Sequence, residues 1–381
     1  MLGWWAAIWT GYDQEFPNDF AAFYYMAWGL THYGMGLNHS LYALNIQYAL
    51  ESQLHHGSAY LEIPFVNPPL AAWLIMPFSE LPLRAAYLTW DVVGFVLEGL
   101  GLWWLVRLAG DKRMMKLVAL AAWSSYPTYI ALGQGQFDFL WPLAVALVWS
   151  AATITVPIKY VPRAAVGALL AAIKPDLLIG FLVPAAFAWK RGWVRTLVIT
   201  WAIFALMVVA ILGPVGLRQV LHIELFTIAQ RFPPTNDLTI LGFFWRLLGP
   251  GRLASDLALL GIPVALVVLA VAWWRNPPQS RSDWYLSLTT VTCVSLLIAP
   301  HDLAQGLILL GPAAIWAGSA FGLLRKRLMP IAIWIVVINF SVLLDLSPHM
   351  YHFPIKFTPL LLLGAAWAAW HSRQPTATPN D

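Results

Sequence analysis

Charge is what this sequence has least of. Asp, Glu, Lys and Arg make up 10% of its 381 residues, against about 25% in an ordinary soluble domain, which argues against a water-facing globule. Cysteine is nearly absent: the single Cys293 lies in an apolar segment. That excludes a disulfide framework and a thiolate metal site and leaves it a packing role. Lys and Arg are missing altogether from the first 83 positions. There is no GxGxxG, no P-loop and no nucleophile elbow; Gly133-Gln134-Gly135-Gln136 reads as a polar turn at a helix end. The net charge of +4 is small and its basic residues sit in short clusters beside apolar ends, so nucleic acid is not a partner. No short-period repeat is present, which removes solenoid folds. The apolar, Trp-rich residues 1–10 lack a basic n-region and a cleavage site, so they do not read as a signal peptide. They are also too short to cross a bilayer and read either as the remainder of a first helix or as an interfacial segment.

What is abundant is apolar sequence. Hydrophobic residues make up 60% of the chain, and from about residue 83 onward they form long runs, those of about 18 residues or more fit to cross a hydrocarbon core of about 30 Å. The runs are 83–106, 117–132, 139–158, 164–189, 197–212, 253–274, 284–298, 303–324, 331–346 and 355–370. The run 164–189 is broken at Lys174-Pro175 and has basic residues at both flanks (Lys159 and Arg163; Lys190, Arg191 and Arg195). It therefore reads as two short helices turning at 174–176. Lys and Arg near span ends mark the cytoplasmic side, and one assignment satisfies every cluster. Both termini lie inside, with about 12 transmembrane or partial helices. The expected fold is an all-α integral membrane, polytopic helical bundle, one domain over 1–371, with a large outer first loop at 12–82 and a disordered cytoplasmic tail at 372–381. The non-basic polar segments 133–138, 213–251, 300–302 and 347–352 then fall on the outer face with the first loop. Lys174 points to that side too, and a site built there works extracytoplasmically, at the surface of the cell membrane.

Few residues in such a chain can carry chemistry. Asp19 precedes an aromatic, helix-like stretch; it reads either as that helix's N-cap or as a carboxylate that takes a proton from a hydroxyl, with Asp13 and Glu15 as rivals. Lys174 is a cation deep in an apolar run, costing roughly 2.5–3.5 kcal/mol on insertion scales. It reads as a local pair with Asp176 or as a cation for a lipid phosphate. Pro300-His301-Asp302 opens a helix, where backbone N–H groups favour anions and His301 adds a donor; Asp302 reads equally as a plain cap. Arg231 stands alone among basic residues between Arg218 and Arg246, as a phosphate contact or an interfacial anchor beside Phe232. Arg84, Asp91 and Glu98 recur every seven residues on one helix face, as ion-pair glue inside the bundle. His32, His39, His55 and His56 match no sharp metal motif, so no cofactor is expected, although a divalent ion is conceivable on residue type alone.

In order along the chain, Asp19-Phe20-Ala21-Ala22-Phe23-Tyr24-Tyr25, Phe65-Val66-Asn67-Pro68-Pro69-Leu70 with Pro77 and Leu81-Pro82, Leu132-Gly133-Gln134-Gly135-Gln136, Gly167 through Ile173-Lys174-Pro175, and Ala299-Pro300-His301 resemble glycosyltransferase family 87. The resemblance implies a GT-C fold and inverting transfer of a mannosyl or related sugar from a polyprenyl-phosphate donor to a glycolipid or glycan acceptor on the outer face. It implies Asp19 as the catalytic base. Lys174, His301 and Arg231 become candidates for the donor phosphate, and Gln134, Gln136 and Asn67 for substrate contacts. This sequence departs from the family pattern at Asn67, where an aromatic residue is common, and after Pro300-His301. The rival classes are a multi-span transporter or flippase, which places ionisable residues at the midplane, and a non-catalytic assembly subunit.

Overall fold

The computed structural model describes residues 18–54, 64–110, 112–223, 237–249, 251–299 and 304–321. Every regular element among them is helical. The chain divides into two compact units, one drawn from 1–98, 128–174 and 196–233, the other from 99–127, 175–195 and 234–381.

The first unit begins with α1 (Asn18–Tyr33), a 3₁₀ turn (Met35–Ser40) and α2 (Leu44–Leu54). Pro68-Pro69 then starts α3 (Pro69–Ile75); Pro suits the first helical position because its missing N–H would have no partner there. The buried aromatic face of α1 forms the core of this unit. Phe20, Met26 and Ala27 are fully buried with Phe65, Ile75 and Tyr87, and rings meet at Phe23–Phe137 (4.7 Å), Trp90–Phe137 (5.1 Å) and, edge-on, Phe20–Tyr87 (5.5 Å). Such pairs are each worth about 0.5–1.5 kcal/mol beyond area burial. Tyr24 ties α1 to the segment after α3, donating to the carbonyls of Leu81 (2.8 Å) and Ser79 (3.2 Å). Burial first and Glu80 second push its phenol upward, so it stays a donor.

Helix α4 (Leu83–Ala109) is long and apolar enough to cross a membrane, and supplies residues to both units. It places Asp91 and Glu98 inside and Arg84 outside. The three therefore do not make one internal line of ion pairs; Glu98 instead accepts a hydrogen bond from Thr128 (2.8 Å). The expected span 117–132 is two helices, α5 (Lys112–Trp123) and α6 (Tyr126–Gly133). They part at Ser124-Ser125, where the Ser124 hydroxyl bonds back to Leu120 (2.8 Å) and competes with the helical ladder. The expected span 139–158 ends earlier, as α7 (Trp141–Ala152). Val156 is extended (φ −85°, ψ 117°), the conformation that proline favours in the residue before it, and α8 (Pro157–Ala171) starts at Pro157 with Lys159 and Arg163 exposed on its first turns. The two helices pack closely at Gly167, where a Cβ would meet the Ala144 carbonyl at 2.8 Å.

The helical run is interrupted around Lys174: α8 stops at Ala171, a 3₁₀ segment (Pro175–Phe181) follows, and then α9 (Leu182–Phe187). Helix α10 (Gly192–His222) breaks at Gly213 (φ 60°, ψ −176°) before Pro214, the position where the sequence places the end of a span. His39 approaches the freed Leu212 carbonyl at 3.4 Å.

In the second unit α11 (Ile240–Leu248) lies against α12 (Arg252–Arg275), joined by Trp245 to Ser255 (3.1 Å). Helix α13 (Arg281–Ile298) opens with a Ser280/Asp283 capping box and is buried over nearly its whole length. It packs on α14 (Leu310–Phe321) through Ser282 to the Ala320 carbonyl (2.9 Å) and Thr289 to the Ala313 carbonyl (3.2 Å). Three helices among the described residues, α4, α10 and α12, are long and apolar enough to span; four further apolar stretches are shorter.

Candidate functional site

The candidate residues of the first unit converge on the loop after α6. This loop closes the helix with two hydrogen bonds, Gln136 N–H to the Ala131 carbonyl and Gly135 N–H to the Leu132 carbonyl (2.8 Å each), with Gly135 at φ +65°. That is a Schellman C-cap, in which a left-handed residue reverses the chain and satisfies the last helical carbonyls. Three more groups fix the loop from outside. The Tyr87 hydroxyl donates to the Leu132 and Gly133 carbonyls (2.9 and 3.1 Å). The Trp90 indole donates to the Gly135 carbonyl (3.0 Å), and the Phe20 N–H to the Gln134 carbonyl (3.1 Å).

The last of these contacts settles how Asp19 sits. Asp19 lies in the first turn of the described helix Asn18–Tyr33. The first turn leaves N–H groups without helical partners, and the one on Phe20 is met by Gln134 of the loop. Asp19 is 8% exposed; its Oδ2 accepts a hydrogen bond from Gln136 Nε2. That direction orients the amide, because an ionised carboxylate only accepts. Gln134 Oε1 and Gln136 Oε1 are buried acceptors without a hydrogen-bond partner among the described residues, and a buried acceptor left so costs about 1–3 kcal/mol until something donates to it.

Gly135 is the residue on which this seat depends. A Cβ there would lie 2.5 Å from the Phe20 Cβ, in a backbone conformation that itself costs an L-residue about 1–2 kcal/mol. With overpacking of about 1–3 kcal/mol, Gly135→Ala is expected to lower stability by about 2–5 kcal/mol. Thermal unfolding in detergent checks this; an unchanged midpoint would show that the turn can open without loss.

Two residues beyond Gln136, Asp138 is fully buried at the start of a 3₁₀ turn (Asp138–Leu140). Lys174 Nζ donates to both its oxygens, at 2.9 and 3.1 Å. The cation that sequence reading offers to a phosphate is thus seated on a carboxylate that the reading passes over as the end of a polar stretch. The signal was available: an acid in a largely apolar stretch needs a partner. Tyr87 and Trp90 were missed as well, because their role is to clamp backbone carbonyls and sequence does not reveal which carbonyls are within reach. Asn67 lies before α3 with its carbonyl accepting from Tyr42 (2.6 Å). Gln47 holds the neighbouring Phe65 at both N–H (2.9 Å) and carbonyl (3.2 Å). His32 stacks on Trp28 at 4.0 Å.

The fold therefore brings together Asp19, Gln134 and Gln136, and joins Lys174 to them through Asp138. Arg231 and His301 lie outside the described residues, as do Asp13, Glu15, His55, His56, Pro300 and Asp302. A family model, described as Glycosyltransferase family 87, matches residues 65–300, more than half of the chain. Asn67, Gln134, Gln136, Lys174 and Arg231 fall within the match; Asp19 and His301 do not. No curated protein and no solved structure matches the chain.

Proposed function

Because the chain belongs to glycosyltransferase family 87, we propose that this membrane glycosyltransferase moves a hexose, with mannose expected, or a pentose, from a polyprenyl-phosphate donor to an acceptor hydroxyl. The acceptor is a glycolipid or glycan on the outer face of the membrane. The observation that carries the reading is the seat of Asp19, a buried carboxylate held by an amide on a loop whose backbone is fixed from several sides.

The reaction is one displacement. An acceptor oxygen forms a bond to the anomeric carbon from the face opposite the leaving group, the bond from that carbon to the phosphate oxygen breaks, and its electron pair leaves with the polyprenyl phosphate. The acceptor's proton passes to the Asp19 carboxylate, and the anomeric configuration inverts. The leaving phosphate needs charge stabilisation more than a proton, and preorganised cations give it; Lys174, His301 and Arg231 are the residues proposed for this.

The experiment is a panel of radiolabelled polyprenyl-phosphate sugars offered to membranes with and without the protein. Transfer from at least one donor, with inversion at the anomeric carbon, is expected. Transfer from none, together with labelled lipid changing leaflets, would replace this reading by the transporter, which the buried Asp91 and Glu98 of α4 favour.

A further inference from the structure

We infer that Gln136 is the positioning residue of Asp19, acting on the transfer step through that carboxylate. The inference rests on Asp19 being the base, and its first ground is geometric. The Gln136 amide reaches a residue 117 positions earlier and donates to Asp19 Oδ2. Both partners are only 8% exposed. Between them they fix which oxygen of the carboxylate Gln136 engages and so constrain the plane of the carboxylate.

The second ground is the rigidity of the residue doing the holding. The Gln136 backbone N–H is committed to Ala131 within the Schellman turn. The carbonyl of Gly135 just before it is held by Trp90. Two residues after it, Asp138 is gripped by Lys174 at 2.9 and 3.1 Å. Phe137 between them is 1% exposed and packs on Phe23 and Trp90. Every neighbour of Gln136 along the chain is thus anchored, and the amide has little freedom to follow a drifting carboxylate. A residue that merely filled space would not need this support, nor an amide.

The third ground is the cost of the alternative. A carboxylate on the first turn of a helix can rotate about two side-chain bonds, and an angstrom of misplacement can cost on the order of 100-fold in rate. The hydrogen bond from Gln136 removes that freedom before substrate arrives, so its effect falls on the chemical step and not on donor binding.

The test uses full-length protein in membranes with the labelled donor that the panel identifies. Gln136→Met keeps the length of the side chain and removes the donor; Gln136→Asn keeps the amide one methylene shorter. Gln136→Met is expected to lower kcat by about 10–100-fold with donor KM within about two-fold of the wild type, and Gln136→Asn to recover a substantial part of the loss. A loss carried by KM, or equal losses in the two variants, would overturn the positioning role. If Gln136→Met does not fold, Gln136→Leu takes its place beside the Asn variant: a kcat lost at unchanged KM and partly recovered by Asn supports the role, and a loss carried by KM, no loss, or equal losses in the two remove it. Asp19→Asn inactive with Gln136→Met fully active sinks only this inference, whereas activity in Asp19→Asn sinks the reading it rests on.

Discussion

Asp19→Asn is expected to lower transfer by about 10²–10⁴-fold, the usual contribution of a positioned general base. The substitution is nearly isosteric and leaves an amide that cannot take the acceptor's proton. It also meets Gln136 Nε2, which donates to Oδ2 in the native protein. An Asn side chain can present its own carbonyl oxygen to that donor, so the seat survives and the protein is expected to reach the membrane in normal amount. The loss should fall on kcat with donor KM little changed, because the phosphate is assigned to other residues. The measurement is single-turnover transfer of the labelled sugar, with protein level quantified in the same membranes. Rates within a few-fold of the wild type would remove Asp19 as the base and return Asp13 and Glu15 to consideration.

What could be read in the sequence was whatever local chemistry signals. Helices α12 (Arg252–Arg275) and α13 (Arg281–Ile298) lie within a few residues of the expected runs 253–274 and 284–298, because basic residues and prolines bound them. The break at Gly213-Pro214 and the interruption at Lys174-Pro175 were legible for the same reason: glycine and proline act on their own backbone. The division of 117–132 at Ser124-Ser125 was not, since hydropathy does not register a hydroxyl bonding back to its own helix. The site was half legible. Asp19, Gln136 and Lys174 could each be named as polar residues in unexpected places. Their partners could not, because Gln136 meets Asp19 across 117 positions and Lys174 meets Asp138 across 36. Only the folded chain decides which carboxylate lies beside which donor.

The ion pair of Lys174 and Asp138 gives the largest expected effect on stability, and the effect is asymmetric. The Asp138 side chain is 1% exposed and that of Lys174 17%. Lys174→Met leaves a carboxylate with no route to water, and breaking a buried pair in this way costs about 3–5 kcal/mol. Asp138→Asn leaves a cation with some access to solvent and an amide oxygen still able to accept from it, so its cost should be smaller, about 1–3 kcal/mol. Lys174→Met combined with Asp138→Leu removes both charges and is expected to recover most of the stability lost by the single Lys variant. Thermal unfolding of the four proteins in one detergent orders them; equal losses in the two single variants would mean that the pair is more hydrated than its burial implies. The same proteins separate the two roles of Lys174. If the pair only anchors the 134–138 loop, the double variant regains donor KM along with stability, because the loop and the Gln136 amide return to place. If Lys174 also meets the donor phosphate, stability returns while donor KM stays raised, since no cation is left at that position. Exchanging the two residues, with Lys174→Asp and Asp138→Lys, keeps an ion pair but moves its positive end to the 3₁₀ turn, and a donor KM that remains raised there would assign the phosphate contact to position 174 itself.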